Sequence, residues 1–202
     1  METIHEAALR YLGMGLNVVP LARGTRIPSA GFELARYFEE RVTPEKLEEW
    51  FKLYVGCNIG IVTGQVSKVC VVDSDTDKPI YNPEIDSKYF PDSLITPESS
   101  TPSGGRHRYF RTPNGTRIQC KNGILPAMDF KCDGGYVVAP PSVLYDGKKY
   151  EWIRDLSIET VEFADLPSGF LNHINKDLSF SISIGVGNND SAQPVTSVTG
   201  RY

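Results

Sequence analysis

The chain has 202 residues, of which 40% are hydrophobic and 23% charged, with a formal net charge of −4. That composition excludes wholesale disorder and suits one large domain or a two-lobed one. No run approaches the roughly 18–20 apolar residues that cross a bilayer, and the N-terminus carries acids where a signal peptide has an apolar core, so the expectation is a soluble, cytoplasmic protein with no membrane role.

In chain order, Thr3-Ile4-His5-Glu6 forms a capping box, with Thr3 as N-cap and Glu6 reaching back. Ile4, Ala8, Tyr11 and Leu12 then share one helical face, and Gly13 and Gly15 close the helix. Residues 16–21 predict a strand. Thr43-Pro44 opens a second helix, with Leu47, Trp50, Phe51 and Tyr54 as its apolar face. Two short β-rich runs follow at 58–62 and 68–73. Residues 74–102 are rich in Asp, Pro and Ser and predict a long loop or insertion. Strands are expected at 107–110, 128–131 and 136–139, the last stopped by Pro140-Pro141, and a short one at 150–152. A short helix is expected near 167–174. Helices cluster early and strands fill the middle, which predicts an α+β domain over 1–175. Residues 176–202 turn rich in Ser, Gly, Asn and Thr and predict a linker or flexible tail, so the chain reads as the front piece of a longer protein.

The four cysteines, Cys57, Cys70, Cys120 and Cys132, form no close pair, and the histidines are His5, His107 and His173. Only Cys120, Cys132 and His107 could make a zinc cluster, and buried free thiols in a reducing compartment are expected instead.

Val71-Val72-Asp73-Ser74-Asp75 ends an apolar strand in two carboxylates at i, i+2, which point to one face of an extended chain. Two anions so close need a proton or a cation between them, and such oxygen donors suit Mg²⁺ or Mn²⁺. The plain alternative is a polar turn after a strand. Asp129 sits between Met128 and Phe130 inside another strand, where Asp is disfavoured and needs a partner. A metal shared with Asp73 and Asp75 would supply it, as would an arginine, or Asp129 could face water from an edge strand.

Thr101-Pro102-Ser103-Gly104-Gly105-Arg106-His107-Arg108 joins a glycine turn to a strand. Such a turn lets backbone N–H groups approach a bulky anion, with Ser103 and His107 as further donors. Arg106 and Arg108 should point away from His107 on the opposite face. From Ser99 to Met128 there is no acid, while Arg106, Arg108, Arg111, Arg117 and Lys121 are basic, a candidate track for phosphates or a solvated hairpin face. No GxxxxGK[ST], GxSxG, HExxH or GxGxxG occurs, which leaves Walker-type nucleotide binding, hydrolase triads and dinucleotide binding without support.

Taken in order, these pieces resemble the bifunctional DNA primase/polymerase family of the archaeo-eukaryotic primase superfamily, over roughly residues 4–175. The parts are the first helix into Asn17–Leu21, Gly24-Thr25-Arg26-Ile27-Pro28, Asn58–Gly64 before Val69–Asp75, then Ser100–Phe110, Met128–Val143 and Lys149–Trp152. The resemblance implies an RRM-like antiparallel sheet, the primase-like catalytic core, beside an N-terminal α/β lobe. It implies two divalent ions, Mg²⁺ or Mn²⁺, held by Asp73, Asp75 and Asp129. It gives His107, after the Ser103-Gly104-Gly105 turn, to the triphosphate of the incoming nucleotide, and Lys131 to the same phosphates. The substrates implied are a DNA template, a primer, and deoxynucleotides or ribonucleotides, in the replication of a plasmid, phage or cell. The cysteine spacing does not reproduce the zinc stem of some relatives, and Arg26 stands where relatives often have lysine. The helical and helicase regions that usually follow are not in this chain, so extension is a better expectation than primer initiation. Two other classes stay open. One is a single-stranded nucleic-acid-binding replication module without catalysis, using aromatics such as Tyr109, Phe110 and Tyr136. The other is a metal-dependent phosphoesterase or nuclease. The catalytic reading requires Asp129 on the same sheet face as Asp73 and Asp75.

Overall fold

The structure, a computed structural model, describes residues 2–113, 115 and 117–176. Of the expected tail at 176–202, all but residue 176 lies outside the described residues. The chain divides into two units, residues 1–167 and 168–202. The described part of the second is a helix over 168–176, where a short helix was expected.

The first unit is mixed α and β, with two sheets that are antiparallel but for one short edge pairing. Helix α1 (Ile4–Gly13) starts at the capping box, in which Glu6 N–H donates to Thr3 Oγ1 at 3.2 Å and Thr3 N–H to Glu6 Oε2 at 2.8 Å. Helix α2 (Pro44–Leu53) has Pro at its first position and Thr43 as N-cap, accepting from Lys46 N–H. Strands β1 (Asn17–Leu21) and β2 (Asn58–Val62) pair antiparallel, Asn17 opposite Val62. Both are buried throughout, which explains their near-continuous apolar sequences. The third strand of this small sheet comes from far along the chain: β8 (Tyr136–Val138) pairs with β2. Ala7, Ala8, Tyr11 and Leu12 of α1 and Leu47 and Trp50 of α2 join these strands in one core, while Phe51 and Tyr54 are only partly buried against it.

The larger sheet is built from β3 (Val69–Ser74), β4 (Glu98–Ser100), β5 (Arg106–Arg111), β6 (Lys121–Leu125), β7 (Met128–Lys131), β9 (Glu151–Trp152) and β10 (Ala164–Asp165). Its order is β6-β7-β3-β5-β4-β9, with β10 parallel to the far end of β5. Val69, Val71 and Tyr109 on one face of this sheet belong to the same core as α1, α2, β1 and β2, so one apolar cluster ties the two sheets together.

The stretch 74–102 is not a loop. It holds helix α3 (Pro83–Tyr89) and strand β4. Its polar composition belongs to helix-start chemistry: Asn82 is the N-cap, accepting from Glu84 and Ile85 N–H, and Pro83 takes the first position. The cationic run is likewise not a free track. Arg108 is buried on the opposite face from His107, as expected, where it donates to both carboxylate oxygens of Asp86 at 2.7 and 2.6 Å. Glu98 lies 3.4 Å from Arg108 and 3.6 Å from Arg106. Arg111 pairs with Asp165 and Arg117 with Glu39. The acids missing from 99–128 arrive from elsewhere in the chain. Among the described residues no helix is long and apolar enough to cross a membrane.

The Arg108–Asp86 pair clamps α3 to the sheet, with the Tyr81 hydroxyl donating to Asp86 Oδ2. Removing Asp86 takes away both short hydrogen bonds and leaves buried Arg108 only the longer contact to Glu98, so Asp86→Ala should lower the stability of the folded chain by about 3 kcal/mol, the low end for breaking a buried pair. Urea unfolding followed by tryptophan fluorescence measures this, and an unchanged midpoint would show that α3 does not depend on the pair.

Candidate active site

The larger sheet fixes the position of the sequence-predicted acids through its register. Asp73 on β3 lies opposite His107 on β5 and opposite Asp129 on β7. Side chains alternate across a strand, so paired residues share a face. Asp129, Asp73 and His107 therefore form one row on one side of the sheet. Two residues further along, Lys131 pairs with Val71 and joins the same face. Asp75 lies just past β3, but its N–H still donates to Ala127 O at 2.9 Å, which continues the ladder.

Along β3 this face is filled by Val69 and Val71 against the core. Beyond Val71 the packing stops and a cleft of about 490 Å³ opens, lined by Asp73, His107, Lys131, Arg26, Tyr136 and Tyr150 among others. Arg26 Nε donates to the Tyr150 hydroxyl at 2.8 Å, and the Tyr136 hydroxyl donates to Arg26 O at 3.0 Å. The Tyr150 ring leans on the His107 ring, with centroids 5.8 Å apart. The cleft therefore presents one carboxylate among two permanent cations and a histidine.

Burial, and then the negative charges of Asp75 and Asp129, push the Asp73 carboxyl up to about 6, against the pull of Lys131 and Lys78. His107 moves the other way. Burial lowers it to about 4, and the cations Lys131 and Arg26 act in the same direction. The imidazole is thus neutral at neutral pH, with Nε2 3.5 Å from Asp73 Oδ1 and Nδ1 buried without a hydrogen-bond partner. A neutral ring can donate one hydrogen bond, and the tautomer decides from which nitrogen.

The other two carboxylates are engaged locally. Asp129 accepts from Gly123 N–H at 2.8 Å and from Lys131 Nζ at 2.9 Å, and Lys131 also donates to Asn122 Oδ1. The strand β7 is flanked by β3 and β6, so Asp129 is not on an edge, and its cation is a lysine rather than an arginine. Asp75 pairs with Lys78. Among the described residues no group of three His, Cys, Asp or Glu side chains stands ready to hold a metal ion. The four thiols are free, and Cys120 Sγ accepts from Cys132 N–H at 3.2 Å.

The Ser103-Gly104-Gly105 turn lies at the Asp75 end and is not part of the cleft lining. Thr101 N–H donates to Gly105 O, and Thr76 Oγ1 donates to Gly104 O at 2.8 Å. A side chain at Gly105 would put its Cβ 2.5 Å from Ser74 O and 3.3 Å from the Asp75 Cα. Glycine is needed there so that the turn can lie against the end of β3. The structure thus brings Asp73, His107 and Lys131 into one cleft. Asp129 adjoins them in the row, Asp75 sits at the strand end, and Ser103, Gly104 and Gly105 border Asp75. Sequence reasoning gave no site role to Arg26 or Tyr150, although both lie in segments that carry the family resemblance. The cue for Arg26 was an arginine in a tight turn straight after a buried strand.

The chain belongs to the bifunctional DNA primase/polymerase family: the model of that family's N-terminal domain matches residues 8–168. Membership makes this a nucleotidyltransferase-type enzyme, with DNA and nucleotides as its substrates. No curated protein matches the chain.

Gly105→Ala should force the turn off the end of β3 and cost about 1–3 kcal/mol. Thermal unfolding checks this, and an unshifted melting temperature would mean that the backbone approach at Ser74 is not tight.

Proposed function

We propose that the chain carries out template-directed nucleotidyl transfer at the Asp129–Asp73–His107 row, extending a DNA primer. The observation that carries this reading is the register that sets two carboxylates and a histidine side by side at the mouth of a cationic cleft.

The donor chemistry suits Mg²⁺ or Mn²⁺. Asp73, Asp75 and Asp129 offer only oxygen ligands, and the Asp73 carboxyl is raised first by burial and then by the other two carboxylates, both of which a bound cation would offset. Mg²⁺ usually binds through one or two carboxylates, retained waters and substrate phosphates, so a ready-made protein cage is not required. When bound, such ions would lower the pKa of a primer 3′-hydroxyl and neutralise a triphosphate and its leaving pyrophosphate. Asp73, Asp75 and Asp129 would hold them.

The remaining residues position and stabilise. Lys131 and Arg26 supply fixed positive charge for the phosphates, and His107 a neutral donor from the cleft wall. Such contacts strengthen as charge develops on the transferred phosphoryl group, which makes them catalytic rather than merely binding. The Ser103-Gly104-Gly105 turn gives a close-approach surface beside Asp75. The larger sheet is taken as the RRM-like primase core, and the α1–α2–β1–β2–β8 layer as the lobe that closes the cleft.

Primer extension with labelled deoxynucleotides or ribonucleotides, with and without Mg²⁺ or Mn²⁺, tests the reading. Ion-dependent lengthening is expected. Shortening would indicate a nuclease, and DNA binding without incorporation a silent module. Asp73→Asn should lower extension by at least about a hundredfold, on the scale of losing one electrostatic contact to a transition state, with an unchanged circular dichroism spectrum. His107→Ala should raise the nucleotide KM or lower kcat, and movement of neither would remove His107 from the phosphate site.

A further inference from the structure

We infer that Tyr145 is a stacking platform for an unpaired base of the DNA strand that the cleft copies. Tyr145 is 78% exposed. Exposure alone would mean little, since single apolar side chains at a surface are ordinary, but this ring is held in place. Tyr145 N–H donates to Gly24 O at 3.0 Å, and Leu144 bridges to Gly24. A Cβ at Gly24 would lie 2.6 Å from ring carbons of Tyr145, so the ring is laid directly on the glycine backbone. Gly24 also has φ +68, a conformation that favours glycine. The turn beneath the ring closes on itself, with Leu144 N–H donating to Lys148 O and Gly147 N–H to Leu144 O. One face of the ring is therefore fixed and the other is presented to solvent.

The surroundings select the occupant. The two turns that meet here carry Arg23, Arg26, Lys148 and Lys149 against a single acid, Asp146, in a chain that is net acidic. Asp146 lies 3.6 Å from Lys148, which leaves the cations in excess over the acid. A fixed aromatic ring on turns with excess positive charge is the arrangement that takes single-stranded nucleic acid, the base on the ring and the phosphates on the cations. The platform is continuous with the candidate site. Arg26, two residues from Gly24, and Tyr150, five from Tyr145, both line the cleft and are hydrogen-bonded to each other. A strand held on Tyr145 would thus lead toward the Asp73 row.

The choice of a nucleic-acid occupant rests on the primase/polymerase reading, and the test separates the two. Fluorescence anisotropy of a fluorescein-labelled homopyrimidine single strand is measured against the full chain, without divalent ion or nucleotide. Primer extension by the wild type is run in parallel. Tyr145→Ala should weaken binding by about fivefold or more, the lower end of what base stacking on an aromatic ring contributes. Tyr145→Trp should retain it. Unchanged binding by Tyr145→Ala overturns the platform, as a surface for a protein partner would require, and so does an equal loss in Tyr145→Trp or no binding by the wild type. Binding through Tyr145 without extension would overturn the catalytic reading and leave the platform standing.

Discussion

The antiparallel register of β3 between β5 and β7 is the constraint on which the rest of the molecule depends. It puts His107 and Asp129 on either side of Asp73, although they lie 34 and 56 positions from it in the chain. A slip of one residue on either side would turn the slipped partner to the opposite face. The slip is opposed by what lies on both faces. Val71 and Tyr109 are buried on the side of the acids, and Val72, Phe110 and Phe130 on the other. A shift would exchange these with charged neighbours, so the hydrophobic pattern that folds the sheet also sets the site.

The electrostatics follow from that placement. A carboxylate at the edge of a core loses hydration, and two more nearby repel it, so Asp73 rises. Lys131 on the next strand and Lys78 after the strand end relieve part of this, while His107 adds no positive charge because burial keeps its ring neutral. The row is left with negative charge next to a cleft whose far wall is cationic through Arg26. On the proposed function, that separation would offer oxygen donors to cations on one side and positive charge to phosphate oxygens on the other.

Features governed by neighbours in sequence were legible. The capping box at Thr3, the Thr43-Pro44 helix start and the apolar runs of β1, β2 and β3 follow from local rules, and all are present. The common face of Asp129 and Lys131 followed from strand alternation alone. Features that depend on distant partners were not legible. The cationic run lost its apparent freedom because Asp86, Glu98, Asp165 and Glu39 come from other elements. Helix α3 was hidden because its caps and prolines look like loop chemistry. Strand β6 was hidden because Lys121, Asn122 and Gly123 carry no β pattern. Arg26 entered the site only through a fold that lays the turn after β1 beside Tyr150.

The two sheets divide the work between them. The larger one carries the acids, the histidine and Lys131, while the smaller one brings Tyr136 and, through the turn after β1, Arg26 to the same cleft. On the proposed function, the three carboxylates act together toward divalent cations. Electron paramagnetic resonance of Mn²⁺ in the presence of protein and a non-hydrolysable nucleoside triphosphate tests it most directly, because free aqueous Mn²⁺ gives a signal that disappears on binding. The account predicts that the protein removes more signal than the nucleotide does by itself, and that Asp73→Asn and Asp129→Asn each abolish that excess. Equal removal by both variants and the wild type would contradict it.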